Sequence, residues 1–113
     1  MEGVVAYDEG LATRVRETIA GEPGLVEKRM FGGLAFMIDG NLAVGIVGDD
    51  LMARVGPDAY QAALTRPHAR PFDMTGRPMT GWVLVDAAGL EDDAAYEGWV
   101  GDGVAFARSL PAK

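Results

Sequence analysis

The side chains that usually carry nucleophilic catalysis are scarce in this sequence. It contains one serine, Ser109, one histidine, His68, and no cysteine. A hydrolytic triad needs a nucleophile, a base and an orienting group in one place. Ser109 lies just before Pro111 at the end of a predicted helix, and His68 follows Pro67 in a predicted loop. We therefore expect no triad chemistry and no enzyme activity.

Metal and nucleotide sites are equally poorly supported. The neighbouring acids Asp49-Asp50 and Asp92-Asp93 lack the alternating oxygen ligands and the closing glutamate of a calcium loop. The glycine-containing segments match neither a dinucleotide fingerprint nor a P-loop. We expect no metal and no cofactor. Paired carboxylates for acid–base catalysis stay open as an alternative, because any two of the 17 acidic residues can meet in a fold.

Length and charge restrict the class of protein further. A chain of 113 residues with 49% hydrophobic residues fits one domain over residues 1–113. The net charge of −7 is concentrated in residues 1–27 and 86–113, while the central segment is nearly neutral. This balance disfavours direct binding to nucleic acid. The central segment nevertheless carries five arginines: Arg29, Arg54, Arg66, Arg70 and Arg77.

The sequence also predicts where the protein resides. No cysteine is present, and the first ten residues contain no basic residue, so neither a secretory signal nor a transit peptide is indicated. The longest apolar runs have the length of strands and are far shorter than the roughly 20 residues that cross a bilayer. We expect a cytoplasmic protein with no membrane partner.

The hydrophobic pattern predicts a sheet between two terminal helices. In residues 7–20 apolar side chains recur every four positions, which indicates an amphipathic helix. Residues 25–55 contain short apolar runs separated by turns, which predicts a four-strand meander. The remaining predicted elements are a short helix after Gly56-Pro57, a loop or edge segment over residues 67–78, a strand at residues 82–85 and a last helix capped by Asp92 or Asp93. The prediction is an α+β fold in two layers, with an antiparallel sheet of five to six strands and helices mainly on one face.

The alternation of side chains predicts which residues share a face. A loop of odd length at Asp39-Gly40 separates large from small residues, whereas a two-residue loop mixes them. We therefore expect a bulky face under the helices that contains Leu34, Phe36, Ile38, Leu42, Val44 and Ile46. A two-residue turn at Gly48-Asp49 adds Leu51, Ala53 and Val55 to that face.

The opposite face is then shallow and apolar. It is predicted to hold Ala35, Met37, Ala43, Gly45, Val47, Met52 and Arg54. A sheet face open to water normally carries polar residues at alternate positions. We expect another chain to cover this face, either a regulatory partner or a second copy in a homodimer. The alternative is that residues 67–78 of the same chain fold over it.

Several segments resemble the N-terminal domain of the TfoX/Sxy competence regulators. They are residues 28–36, which include the run Arg-Met-Phe-Gly-Gly, and residues 39–43, 51–55 and 76–82. The last helix with Trp99 is also similar, so the resemblance covers about residues 7–110. It implies a two-layer α+β fold and a transcriptional co-regulator of DNA-uptake genes that acts beside a cyclic-AMP-dependent transcription factor. Full-length regulators carry a second, helical domain, for which no residues follow Lys113, so we expect a single-domain member.

Together these features predict a non-enzymatic regulatory module that binds another protein, for example a transcription factor. The residues expected to carry the interaction are Arg29, Phe31, Met37, Ala43, Gly45, Met52 and Arg54. A structural role is the alternative for the run from Arg29 to Gly33. Two other functions stay open: a nucleic-acid-binding domain that uses the central arginines, which would need exposed aromatic rings for stacking, and a small-ligand-binding domain.

Overall fold

The computed structural model describes residues 7–73 and 76–113, and its elements follow the predicted order. The helices are α1 (Glu9–Thr18), α2 (Tyr60–Leu64) and α3 (Asp93–Ser109), with a short 3-10 helix at Ala87–Leu90. The strands are β1 (Leu25–Met30), β2 (Gly33–Ile38), β3 (Asn41–Val47), β4 (Asp50–Arg54), β5 (Ala69–Asp73) and β6 (Pro78–Val85). The predicted α+β fold is confirmed. In this part of the chain no helix is long and apolar enough to cross a membrane.

The six strands form one antiparallel sheet in the order β1-β2-β3-β4-β6-β5. The first four strands pair as consecutive hairpins, as the turn residues predict. Strand β6 then pairs with β4, which leaves β5 at the outer edge. The two edges of the sheet are therefore β1 and β5, and residues 67–78 contribute an edge strand rather than only a loop.

The main core lies between one face of the sheet and the helices. From α1 and its C-cap residue it contains Ala12, Val15 and Ile19, and from α3 it contains Tyr96, Trp99 and Val100. These residues recur every three or four positions, so each helix buries a single stripe. Helix α3 begins where the sequence predicts, because the carboxylate of Asp92 accepts a hydrogen bond from the backbone N–H of Ala95. Helix α1 is shorter than the predicted residues 7–20 and begins at Glu9, where the carboxylate of Asp8 accepts from the backbone N–H of Leu11.

The strand register confirms most of the predicted bulky face. Leu34 and Phe36 pair with Ile46 and Val44, and all four are buried beneath the helices. Ile38 is also buried on this side, together with Ala107 of α3. The turn at Gly48-Asp49 has two residues, and Leu51, Ala53 and Val55 join the same core as predicted.

The predicted loop of odd length at Asp39-Gly40 is wrong. Ile38 pairs with Asn41, so this turn has two residues, both with positive φ. The extra residue lies instead in β3, where Phe36 pairs with Val44 and Met37 pairs with Leu42. Ala43 is therefore the additional residue of a β-bulge, which exchanges the faces on either side of it.

Two residues change faces because of this bulge. Leu42 was expected under the helices, but it lies on the opposite side with Met37 and Met52. Ala43 was expected on that opposite side, but it is buried against α3 with Ile38 and Ala107. Helix α3 comes so close that a Cβ added at Gly103 would lie 2.4 Å from the carbonyl oxygen of Ala43.

The short helix α2 begins later than predicted. Gly56 has a φ of 88°, which favours glycine, and the ring of Phe106 occupies the space that a Cβ would need. Pro57 lies in a turn before the helix, whose N-cap is Ala59. Tyr60 and Ala63 then pack into the main core.

Candidate functional site

The side of the sheet opposite the helices carries a second apolar cluster, which we call the helix-free face. Its buried centre consists of Ala35, Leu42, Met52, Phe72 and Leu84. Around this centre lie half-buried apolar side chains: Met30, Phe31, Met37, Val47, Met79 and Trp82. At the edge of the sheet, Val26 pairs with Met37 and is 60% exposed. The face is thus apolar from its centre to one edge.

Aromatic side chains of the same chain cover the centre of this face. Phe31 and Phe72 pack edge to face, with ring centroids 5.8 Å apart, and Phe72 stacks on Trp82 at 6.3 Å. Beneath these rings, Ala35 and Met52 are fully buried. The expected flat surface of small residues is therefore wrong. The alternative that residues 67–78 cover the face is supported in part, because Phe72 belongs to that segment.

The Arg-Met-Phe-Gly-Gly run forms the turn that positions Phe31. Phe31 and Gly32 are the two central residues of the β1–β2 hairpin, with φ values of 42° and 73°. A positive φ in a bulky residue costs about 1 kcal/mol or more, so the surrounding contacts must hold it. Gly33 is required for a different reason, since a Cβ there would lie 2.0 Å from the carbonyl oxygen of Ile46.

The glycine at position 45 leaves room both for the neighbouring strand β2 and for the ring of Phe31. A Cβ on Gly45 would lie 2.9 Å from the carbonyl oxygen of Leu34, 3.1 Å from Cζ of Phe31 and 3.2 Å from Cε of Met52. The ring thus lies above β3 and needs the space that a side chain would fill. Gly45 is therefore part of the support for Phe31 and is itself buried.

Arg54 lies at the border of the helix-free face. Its guanidinium carbon is 5.0 Å from the ring centroid of Trp82 and 5.2 Å from that of Phe106. Such contacts between a cation and an aromatic ring are attractive. Because β6 lies between β4 and β5, the ring of Trp82 contacts Arg54 on one neighbouring strand and Phe72 on the other.

The structure brings together five of the seven residues predicted to interact. Phe31, Met37, Gly45, Met52 and Arg54 belong to the helix-free face, with Phe31, Met37 and Arg54 partly accessible and the other two buried.

The remaining two predicted residues lie elsewhere. Ala43 is under α3 because of the bulge. Arg29 pairs with Leu34 of the main core, so it lies on the helix side of β1 and is exposed there.

Besides Leu42, which it placed on the wrong face, sequence reasoning missed five residues of this apolar cluster: Met30, Phe72, Met79, Trp82 and Leu84. One signal was present for Trp82. It precedes Val83 and Val85, which point into the main core, so the alternation of side chains along β6 places Trp82 on the opposite face. Phe72 had no such signal, because its strand is short and contains Pro71. Its position follows only from the pairing of β5 with β6.

The residues considered for catalysis occupy unrelated positions. Nδ1 of His68 is 3.2 Å from a carboxylate oxygen of Asp86, and His68 itself has a φ of 68°. The hydroxyl of Ser109 donates to the carbonyl of Phe106 within α3 at 2.6 Å. Within residues 7–73 and 76–113, no group of acidic or histidine side chains has the arrangement of a metal site.

A surface cleft of about 500 Å³ lies between α2 and α3. Alanine side chains of both helices line it, together with Val55 and Phe106. The ion pair between Arg66 and Asp102, with a separation of 2.7 Å, also contributes to its lining. The guanidinium of Arg66 lies 3.5 Å from the ring centroid of Trp99, so this pair also closes the main core.

Comparison with known proteins gives one match. The family model of the TfoX N-terminal domain matches residues 17–107 of this chain. No curated protein and no solved structure matches the chain. The match begins at the end of α1, ends within α3, and includes the Phe31 turn and every strand of the sheet. On this basis the chain belongs to the TfoX N-terminal domain family.

Proposed function

We propose that this protein is a non-enzymatic regulatory module that binds another protein through the helix-free face. The observation that carries the proposal is the set of half-buried apolar side chains on a sheet face that bears no helix in the described residues. Contiguous apolar surface of this kind marks sites of protein association. Membership of the TfoX family supports a role in transcriptional co-regulation.

The chemistry of the face suits a protein partner. Met30, Met37 and Met79 surround the aromatic rings, and methionine side chains adapt their shape to different surfaces. Trp82 and Phe31 add rigid, partly accessible rings, which are the residue types enriched at the centres of interfaces. The buried layer beneath them keeps these side chains in place without a partner.

The absence of cysteine allows a direct test by site-specific cross-linking. A photoreactive maleimide attached to Met37→Cys reports on the helix-free face. The same reagent on Leu110→Cys is the matched control, because Leu110 is a half-buried apolar residue at the end of α3. Both variants are incubated in an extract of the native cells, irradiated and examined by mass spectrometry.

We expect specific cross-links from position 37 and none of the same products from position 110. Competition by unlabelled wild-type protein should remove the products from position 37, whereas unlabelled Met37→Glu should not. A product with the mass of two chains identifies a homodimer, and a heavier or lighter product identifies another protein. Equal products at both positions, or none at position 37, would refute a binding role for this face.

A further inference from the structure

The helix-free face carries a charge opposite to that of the whole protein. The net charge of the chain is −7, yet the strand register places Lys28, Arg54 and Arg70 on this face. One acidic residue, Asp50, lies among them and forms an ion pair with Arg70. Among the described residues, neither Lys28 nor Arg54 has a carboxylate partner. Two positive charges are therefore available beside the apolar surface.

We propose that the helix-free face binds an acidic, apolar segment of another protein chain. This inference rests on the proposed function and adds the chemistry of the partner. Apolar side chains of the segment would contact Met37, Phe31 and Trp82, and its carboxylates would contact Lys28 and Arg54. Electrostatic complementarity of this kind gives an interface its specificity and its orientation.

The sheet geometry sets the spacing of those carboxylates. Lys28 is on β1 and Arg54 is on β4, so three strand-to-strand spacings of the sheet separate them. Neighbouring strands are about 4.8 Å apart, so with the offset along the strands the two positions are about 15 Å apart. An extended segment covers that distance in about four or five residues. The expected partner thus has two acidic residues separated by a short apolar stretch.

The charges favour this partner over a second copy of the chain. Two copies packed face to face would bring Lys28 and Arg54 of one chain against the same positive face of the other. Asp50 offers little compensation, because Arg70 of its own chain already pairs with it. Like charges across an interface oppose association. A homodimer through this face is therefore the less favourable arrangement.

The aromatic rings favour a protein segment over nucleic acid. Binding of single strands requires open ring faces on which bases stack. Phe72 is buried, and the ring of Trp82 packs against Phe72 and Arg54, so neither ring stands free for stacking. Phosphate recognition also needs many cations, whereas the remainder of this protein is strongly acidic.

Two synthetic peptides of opposite charge test the proposal. Both carry the same phenylalanine and leucine residues and a fluorophore, and one has glutamates where the other has lysines. Fluorescence anisotropy measures their binding to the wild-type protein. We expect the acidic peptide to bind at least about tenfold more tightly than the basic one. The net charge of −7 alone would produce the opposite preference, so the sign of the difference is informative.

Adjacent charges on β1 provide a matched pair of variants. Lys28→Glu reverses a charge on the helix-free face, and Arg29→Glu makes the same change on the helix side of the same strand. Both side chains are exposed, so neither change should affect folding, which circular dichroism verifies. We expect Lys28→Glu to weaken binding of the acidic peptide about tenfold and Arg29→Glu to weaken it no more than about twofold.

Each outcome decides the inference. A preference for the basic peptide, no binding of either peptide, or equal effects of Lys28→Glu and Arg29→Glu would overturn it. So would doubling of the mass in light scattering that Met37→Glu abolishes, or submicromolar binding of a single-stranded oligonucleotide. If cross-links form at position 37 but ignore the Lys28→Glu change, the proposed function stands and only the chemistry of the partner is wrong.

Discussion

Replacing Gly103 by alanine should destabilise the protein, although alanine is the better helix former. A Cβ at this position would lie 2.4 Å from the carbonyl oxygen of Ala43 and 2.7 Å from Cγ1 of Val44. Ordinary contacts at a Cβ begin near 3.4 Å, so α3 or the bulge must move by about 1 Å. The neighbouring glycine of the same helix, Gly101, has no atom within 4 Å of its Cβ position and provides the control.

The contacts at the two glycines set the sign and the size of the stability change in each variant. An added methyl group against a rigid backbone costs about 3 kcal/mol, the upper end of overpacking effects, and the helix propensity of alanine returns about 1 kcal/mol. Gly103→Ala should therefore lose about 2 kcal/mol of unfolding free energy, whereas Gly101→Ala should gain about 1 kcal/mol. In melting temperature these changes correspond to a decrease of about 8 °C and an increase of about 4 °C.

Urea and thermal unfolding of the two variants, followed by circular dichroism, measure these differences. The urea midpoints should move in opposite directions with unchanged slopes. If Gly103→Ala is as stable as Gly101→Ala, α3 does not approach β3 as closely as described. The close contact between Gly103 and the carbonyl oxygen of Ala43 would then be wrong.

Three further predictions concern the core and the response to pH. Phe36→Ala should lower the unfolding free energy by about 3 to 5 kcal/mol in urea titrations, and Val26→Ala, at an exposed site, should change it by less than about 0.5 kcal/mol. Arg16 donates a hydrogen bond to Glu27 and lowers the pKa of that carboxyl. The ion pair therefore stabilises the fold above pH 4.5, the ordinary pKa of the group, and this stabilisation disappears as the pH falls through the lowered pKa. Glu27→Gln should reduce this acid sensitivity when unfolding is measured against pH. Burial raises the pKa of Tyr96, because the folded state favours the neutral phenol. The free energy of unfolding should therefore fall as the pH rises above 10, and Tyr96→Phe should reduce that loss in the same titration.

The sequence was sufficient to predict the sheet layers, except at one point. Leu34 and Phe36 can share a sheet face with Val44 and Ile46 only if one extra residue lies somewhere between the two strands. A loop of odd length and a bulge at Ala43 both provide that shift. They differ only in where Leu42 and Ala43 lie, and hydrophobicity does not distinguish the two, because both residues are apolar.

The surface of the candidate site was less predictable than its position. The small residues Ala35 and Gly45 suggested a flat open face, but aromatic side chains of the same chain pack over this part of the sheet. The position of Phe31 depends on a positive φ, which a sequence does not indicate for phenylalanine. The position of Phe72 depends on the pairing of β5 with β6, a contact that local periodicity does not specify.

The two edges of the sheet limit how this protein can aggregate. Edge strands expose backbone groups that another strand can extend, and proteins oppose this with charged residues and proline. Strand β1 carries Glu27, Lys28 and Arg29 in succession, and Pro71 removes a backbone donor from β5. Addition of further strands is thus disfavoured at both ends of the sheet. Growth of the sheet into fibres through its edges is disfavoured for the same reason.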